Sequence, residues 1–223
     1  MLLISILLKN IIMENILVLG ANGKTGTHIV DILNEIDRYH VRVMLRKEEQ
    51  KANFNEDKVE CVIGDLEENF EDVFKNIDKV IFAAGSGGST GDEKTRAVDR
   101  DGAKKAIDYA VHHNLNKFVM LSSIGTDNPE EAGDLQEYLK AKKAADDYLE
   151  SKAINYSIVR PGALTNEEPT HQIKVIDGLE KGSINRKDVA YVLVKTLEDK
   201  ICKNGKITFI SGDKDIDQVL ETY

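Results

Sequence analysis

Short apolar runs rich in β-branched residues recur along the chain at Asn15 to Leu19, Val41 to Leu45, Val59 to Ile63, Lys79 to Ala83, Lys117 to Leu121 and Tyr156 to Val159. Helical patterns separate them. Ile29, Ile32, Leu33 and Ile36 fall on one face of Thr25 to Ile36, and Thr95 to His113 and Asp134 to Ser151 predict longer helices. A helix over Lys187 to Glu198, a strand at Ile207 to Ile210 and a short terminal helix complete the chain, without repeats or low-complexity linkers. Such alternation predicts parallel strands joined by crossover helices that cover both faces of the sheet, a doubly wound α/β fold in three α/β/α layers.

The 223 residues suit one domain. We place it at residues 13–223, behind an apolar extension, Met1 to Ile12 (MLLISILLKNII). That extension is not expected to be a secretory signal or a membrane span. Its basic residue, Lys9, follows the apolar run, no small-residue cleavage site comes after it, and it falls short of the roughly 20 residues that cross a bilayer. Met13, just ahead of the first strand, is an alternative start.

Charge narrows the partners. Lys+Arg 30 against Asp+Glu 39 gives a net charge of -9, which repels polyphosphate, so neither nucleic acid nor a membrane is expected as partner. Cys61 and Cys202 lack metal-ligand spacing and read as buried reduced thiols, in keeping with a cytoplasmic protein. The five histidines show no metal spacing either, with His28 inside a helix and His112-His113 ending one, so no metal is expected. Helical faces leave room for a homodimer.

The first strand runs directly into Gly20-Ala21-Asn22-Gly23-Lys24-Thr25-Gly26 and then a helix. This is the setting of a dinucleotide-binding loop, a Rossmann-like arrangement. Gly20 turns sharply, Gly23 lets the backbone approach a pyrophosphate, and Gly26 allows close helix packing, while the helix amino end supplies amide donors to which Thr25 adds a hydroxyl. A merely tight turn is the structural alternative. At the end of the second strand, where an NAD enzyme normally carries a carboxylate for the ribose diol, the chain reads Met44-Leu45-Arg46-Lys47. Arg46 therefore points to the 2′-phosphate of NADP(H) in preference to NAD(H), with a solvated surface arginine as the alternative. The glycine-rich Gly85 to Asp92 (GSGGSTGD) should lie at a strand's carboxyl end, beside the ligand.

The chain resembles the atypical short-chain dehydrogenase/reductases, specifically the compact NAD(P)H-binding members related to NmrA-like proteins and flavin or biliverdin reductases. The likeness runs from about Asn15 to about Ala190. It rests on LGANGKTG at Leu19 to Gly26, GDL at Gly64 to Leu66, AAG at Ala83 to Gly85 and VDRDGA at Val98 to Ala103. FVMLSS at Phe118 to Ser123, YLKAKKAADDYL at Tyr138 to Leu149, YSIVRPG at Tyr156 to Gly162 and INRKDVA at Ile184 to Ala190 follow in order. The resemblance implies that Asp65 and Leu66 border the adenine, that Ala83, Ala84 and Gly85 lie along the nicotinamide ribose, and that Arg160, Pro161 and Gly162 flank the nicotinamide. Read from the residues alone, Asp65 could instead cap the following helix, Asp99 could be a solvated helical carboxylate, and Gly102 serves close packing.

Hydride reduction leaves negative charge on the acceptor and calls for a placed proton donor. Tyr138 and Lys142, four residues apart, share a helical face, where the ammonium should lower the phenol pKa and reach cofactor ribose hydroxyls. Ser122 or Ser123 would hold the substrate oxygen. Tyr148 and Lys152 repeat the spacing, but Tyr148 lies only 13 positions before Pro161, too few for the helix to end and a strand to cross, so Tyr138 is preferred. About two dozen residues between Gly162 and Asn185 leave only a shallow substrate rim. These features predict an NADPH-dependent reductase of a small carbonyl, quinone or flavin. The rival is a non-catalytic NADP(H)-binding sensor, and a sugar-nucleotide epimerase ranks last because no C-terminal lobe is available.

Overall fold

The computed structural model describes residues 13–87, 91–177 and 180–223. The apolar extension and the centre of the Gly85 to Asp92 segment lie outside the described residues. The strands are β1 (Glu14–Leu19), β2 (Tyr39–Leu45), β3 (Val59–Ile63), β4 (Lys79–Phe82), β5 (Lys117–Leu121) and β6 (Tyr156–Pro161). After them come β7 (Ala163–Thr165), β8 (Gln172–Val175), β9 (Ser183–Asn185), β10 (Gly205–Ser211) and β11 (Lys214–Asp215). Nine of them form one sheet in the order β11-β8-β10-β6-β5-β4-β1-β2-β3. From β3 to β10 every neighbour is parallel, and only β8 runs against β10 and β11.

The helices are α1 (Gly26–Leu33), α2 (Asp92–Thr95), α3 (Ala103–His112), α4 (Gln136–Glu150), α5 (Arg186–Lys195) and α6 (Ile216–Leu220). Strand alternation divides the core in two. On β1, Ile16 and Val18 pack with Ile29 and Leu33 of α1 and Val189 and Leu193 of α5, whereas Leu17 and Leu19 pack with Ala106 and Ile107 of α3 and Leu149 of α4. The helices thus cover both faces, the three-layer arrangement of a doubly wound sheet.

Strand order reverses between β1 and β4, and ligands of such sheets bind beyond the strand carboxyl ends at that switch point. Ala83 N–H donates to the Leu19 carbonyl at 2.8 Å, so the two chains leave the sheet side by side. Between α2 and α3 lies a π-helical stretch, Arg96–Gly102, where a regular helix was expected. Its wider turn carries Asp99, fully buried, and such turns gather at functional sites. The apolar run Ile173 to Ile176 contributes the antiparallel strand β8, while β7 and β9 pair separately.

Candidate active site

Two of the loop glycines are demanded by the protein itself. Gly20 has φ +88° and a Cβ there would stand 2.5 Å from Ala84 N, while one on Gly26 would stand 2.1 Å from the Gly20 carbonyl oxygen. Gly23 differs. A Cβ there meets only Gly20 O, at 3.2 Å, so packing explains little of its identity and the outward face of the loop is left clear. Thr25 forms no side-chain cap on α1, and its amide and that of Gly26 have no acceptor among the described residues. These donors suit a pyrophosphate. Gly26→Ala should therefore lower Tm by several degrees, whereas Gly23→Ala should leave Tm nearly unchanged and weaken dinucleotide binding, a contrast readable by melting and cofactor titration.

The segment after β2 is latched to this loop. Asn53 Nδ2 donates to Asn22 Oδ1 at 2.8 Å, and Gln50 Oε1 accepts the amides of Arg46 and Lys47 at 2.9 and 3.2 Å. Arg46 itself is exposed, and its guanidinium forms no ion pair with the described residues; Lys24 is exposed as well. Asp65 Oδ1 accepts the Glu67 amide at 3.0 Å, so the carboxylate caps a turn after β3 and not a helix. Leu66 is buried against Gly102, where a Cβ would come within 3.0 Å of Leu66 Cβ.

Beyond β4 the polar groups converge. Asp99 Oδ2 accepts the Ser86 amide at 2.8 Å and its Oδ1 lies 3.1 Å from Lys142 Nζ, so a solvated role for Asp99 is excluded by its burial. A Cβ on Gly85 would stand 3.2 Å from the same Oδ1. Lys142 is 3% exposed and also donates to Leu121 O at 3.2 Å and Ala84 O at 3.5 Å. Burial opposes its charge, but Asp99, Tyr138 and Asp146 together outweigh burial and hold its pKa above the ordinary lysine value. Three protein oxygens thus surround the ammonium at the edge of the crevice.

Tyr138 is partly buried, with Lys142 Nζ 5.8 Å from its ring centroid. Burial raises its phenol pKa, Asp99 and Asp146 push the same way, and Lys142 and the nearby Ser123 hydroxyl pull down without reversing the shift. Lys142 does lower this pKa, as its place one turn along α4 implies, but burial and two carboxylates outweigh it. Ser123 faces the phenol and bonds to the Ile124 carbonyl at 3.1 Å. Ser122 belongs to another cluster, donating to Asp146 Oδ2 at 2.8 Å.

That second cluster was not legible as a site. Asp146, one turn beyond Lys142 on α4, is fully buried and accepts two bonds from Arg160, at 3.0 and 2.9 Å; Arg160 also holds Asp127 at 2.9 Å. Arg160 is thereby committed to the protein interior. Continuing the Tyr138 and Lys142 face by four residues was the available signal. Pro161 ends the same strand and Gly162 follows it, both buried; a Cβ on Gly162 would lie 2.4 Å from Gly182 O. The duplicate pair, Tyr148 and Lys152, binds Asp108 on α3 at 2.9 and 2.7 Å, away from this cluster. A depression of about 840 Å³ lined by Lys174, Gly212 and Tyr223 among others touches none of the crevice residues.

A glycine loop, an uncapped helix amino end and a switch-point crevice define a Rossmann-type dinucleotide-binding protein of the atypical short-chain dehydrogenase/reductase kind. The NAD(P)H-binding family model matches residues 20–200, and the chain belongs to that family. YhfK of Bacillus subtilis, named as an uncharacterized sugar epimerase, is 38% identical over 210 residues, covering 92% of this chain and 98% of its own. A solved Bacillus halodurans structure described as an NAD-dependent epimerase/dehydratase superposes with TM-score 0.90 at 36% identity, covering 94% of this chain and 100% of its own. The oxidoreductase YlbE of Lactococcus lactis gives TM-score 0.84 at 29% identity, covering 93% and 95%. Among the described residues no helix is long and apolar enough to cross a membrane.

Proposed function

We propose that this protein is an NADPH-dependent reductase of a small carbonyl, quinone or flavin acceptor. The observation that carries this reading is the meeting of Tyr138, Ser123 and the buried Lys142–Asp99 pair beside Ala84, two residues past the end of β4 at the switch point. When bound, NADPH supplies a hydride. Tyr138 then gives its phenolic proton to the acceptor oxygen as negative charge develops there, and Ser123 orients that oxygen. Lys142 keeps a fixed positive charge near the nascent phenolate, and Asp99 holds both Lys142 and the Ser86 amide, locking the Ala84 to Ser86 backbone to α4.

Epimerase chemistry also begins with hydride transfer, and two relatives carry that name. Against it here, the chain between Gly162 and Asn185 offers only the short strands β7, β8 and β9, which supply no lobe for a nucleotide sugar. Anaerobic NADPH oxidation against quinones, flavins and aldehydes is the direct test. Turnover with at least one acceptor is expected; tight NADPH binding with none would favour the sensor reading instead.

Arg46 supports a preference for NADPH. Its guanidinium stands just past β2, on the side where a 2′-phosphate would lie, and no carboxylate among the described residues pairs with it. Arg46→Ala should weaken NADPH binding about tenfold or more and leave NADH binding nearly unchanged, as the loss of a charge-assisted contact requires. Equal effects on both cofactors would refute the assignment.

A further inference from the structure

Glu71, His112 and His113 come together on the flank of α3, at the end of that helix remote from Asp99. Their ligand-type atoms all lie within 4.8 Å of one another. Adjacent residues of a regular helix point about 100° apart and do not converge. Here the helix ends between them: His112 closes α3, and His113 is its C-cap, with φ -84° and ψ 4°. The turn brings the ring centroids to 5.4 Å. Glu71 opens the 3-10 turn Glu71–Phe74 after β3 and supplies one oxygen to both rings, 2.6 Å from His112 Nδ1 and 3.6 Å from His113 Nε2.

Several features make this a formed cluster. His113 Nε2 is buried without a hydrogen-bond partner, and its ring lies against Phe74, centroids 6.3 Å apart. Asn69 Oδ1 accepts both the Glu71 amide, at 3.0 Å, and the Tyr109 hydroxyl, at 3.2 Å, tying the carboxylate's backbone to α3. His112 remains free to rotate, its side chain 75% exposed.

We propose that Glu71, His112 and His113 bind a divalent transition-metal ion, with zinc the best match to two imidazole nitrogens and one carboxylate oxygen. Metal–ligand bonds of about 2.0–2.2 Å place tetrahedral ligand atoms roughly 3.3–3.5 Å apart, so the cluster closes on the ion with movements of about 1 Å. Asn69 fixes the backbone that carries the carboxylate ligand. Bound metal fastens the 3-10 turn to the end of α3. From His112 to Asp99 the helix spans roughly 20 Å, which gives the ion no part in hydride transfer.

The test is calorimetric titration of the metal-stripped full chain with zinc chloride in a non-coordinating buffer, paired with thermal melts with and without zinc. One saturable equivalent and a raised Tm are expected, since a ligand that binds only the folded state stabilises it. His112→Ala and Glu71→Gln, both at partly or fully exposed side chains, should each weaken zinc at least about tenfold and remove the Tm shift, with NADPH affinity unchanged. Absence of saturation up to about 1 mM zinc, or an affinity indifferent to both substitutions, overturns the proposal; the second result would place zinc at other donors.

Discussion

Tyr138→Phe is expected to lower turnover of a carbonyl acceptor by about 10²-fold while leaving NADPH affinity nearly unchanged. The phenol is the group placed to meet charge developing on the acceptor oxygen, and its removal takes nothing from the glycine loop. Because burial, Asp99 and Asp146 hold its pKa above the ordinary tyrosine value, against the pull of Lys142 and Ser123, it stays protonated through the neutral range. The sign follows: a raised pKa keeps the acid form present, so wild-type turnover should be flat through neutral pH and fall only on the alkaline side of the ordinary tyrosine range. In the Phe variant that alkaline fall should vanish. A flavin acceptor is the control, because it takes its proton from solvent and should hardly notice the substitution. Wild-type turnover of the carbonyl by the Phe variant would remove Tyr138 from the chemistry.

Which parts of the fold the sequence reveals depends on how each element is stabilised. β1, β2, β4, β5 and β6 are largely buried strands between helical layers, so their apolar runs stand out, and each, like the more exposed edge strand β3, was read to within two residues of its observed limits. The strands β7, β8, β9 and β11 were not. Gln172–Val175 shows only one fully buried side chain among exposed ones, and its strand state comes from pairing with β10 and β11 rather than from its own composition. The π-helical turn at Arg96–Gly102 was equally hidden. Its residues fit a regular helix, and only the partners of Asp99, drawn from the β4 exit and α4, distinguish it.

The site divides along the same line. Glycines that make a turn announce themselves by order and setting, and Tyr138 was separable from Tyr148 by the length of chain each leaves before Pro161. Contacts between distant elements were not separable. Nothing in Glu71 and His112-His113 as a string reveals that a 3-10 turn will face a helix end, and the reading of those histidines as cap residues captured only the helix. Likewise Arg160, placed by resemblance beside the nicotinamide, is turned inward to Asp146 and Asp127, a pairing set by burial that no local pattern specifies.

Lys142→Met is expected to cost about 3–5 kcal/mol of folding stability and to abolish most turnover. Asp99 is fully buried and Lys142 is its counter-ion at 3.1 Å; methionine fills the volume yet leaves that carboxylate charged, or forces it to take a proton. Asp146, by contrast, keeps Arg160 and Ser122 and should tolerate the loss. The double variant Asp99→Asn with Lys142→Met separates the two consequences. Asparagine still offers an oxygen to the Ser86 amide but carries no charge, so much of the stability should return in denaturant unfolding. Activity should not return with it, because the phenolate formed at Tyr138 would have lost its neighbouring cation. If the single variant proves as stable as wild type, the ion pair is not what fixes the Ala84 to Ser86 backbone; if the double variant regains turnover, Lys142 acts only by holding the fold.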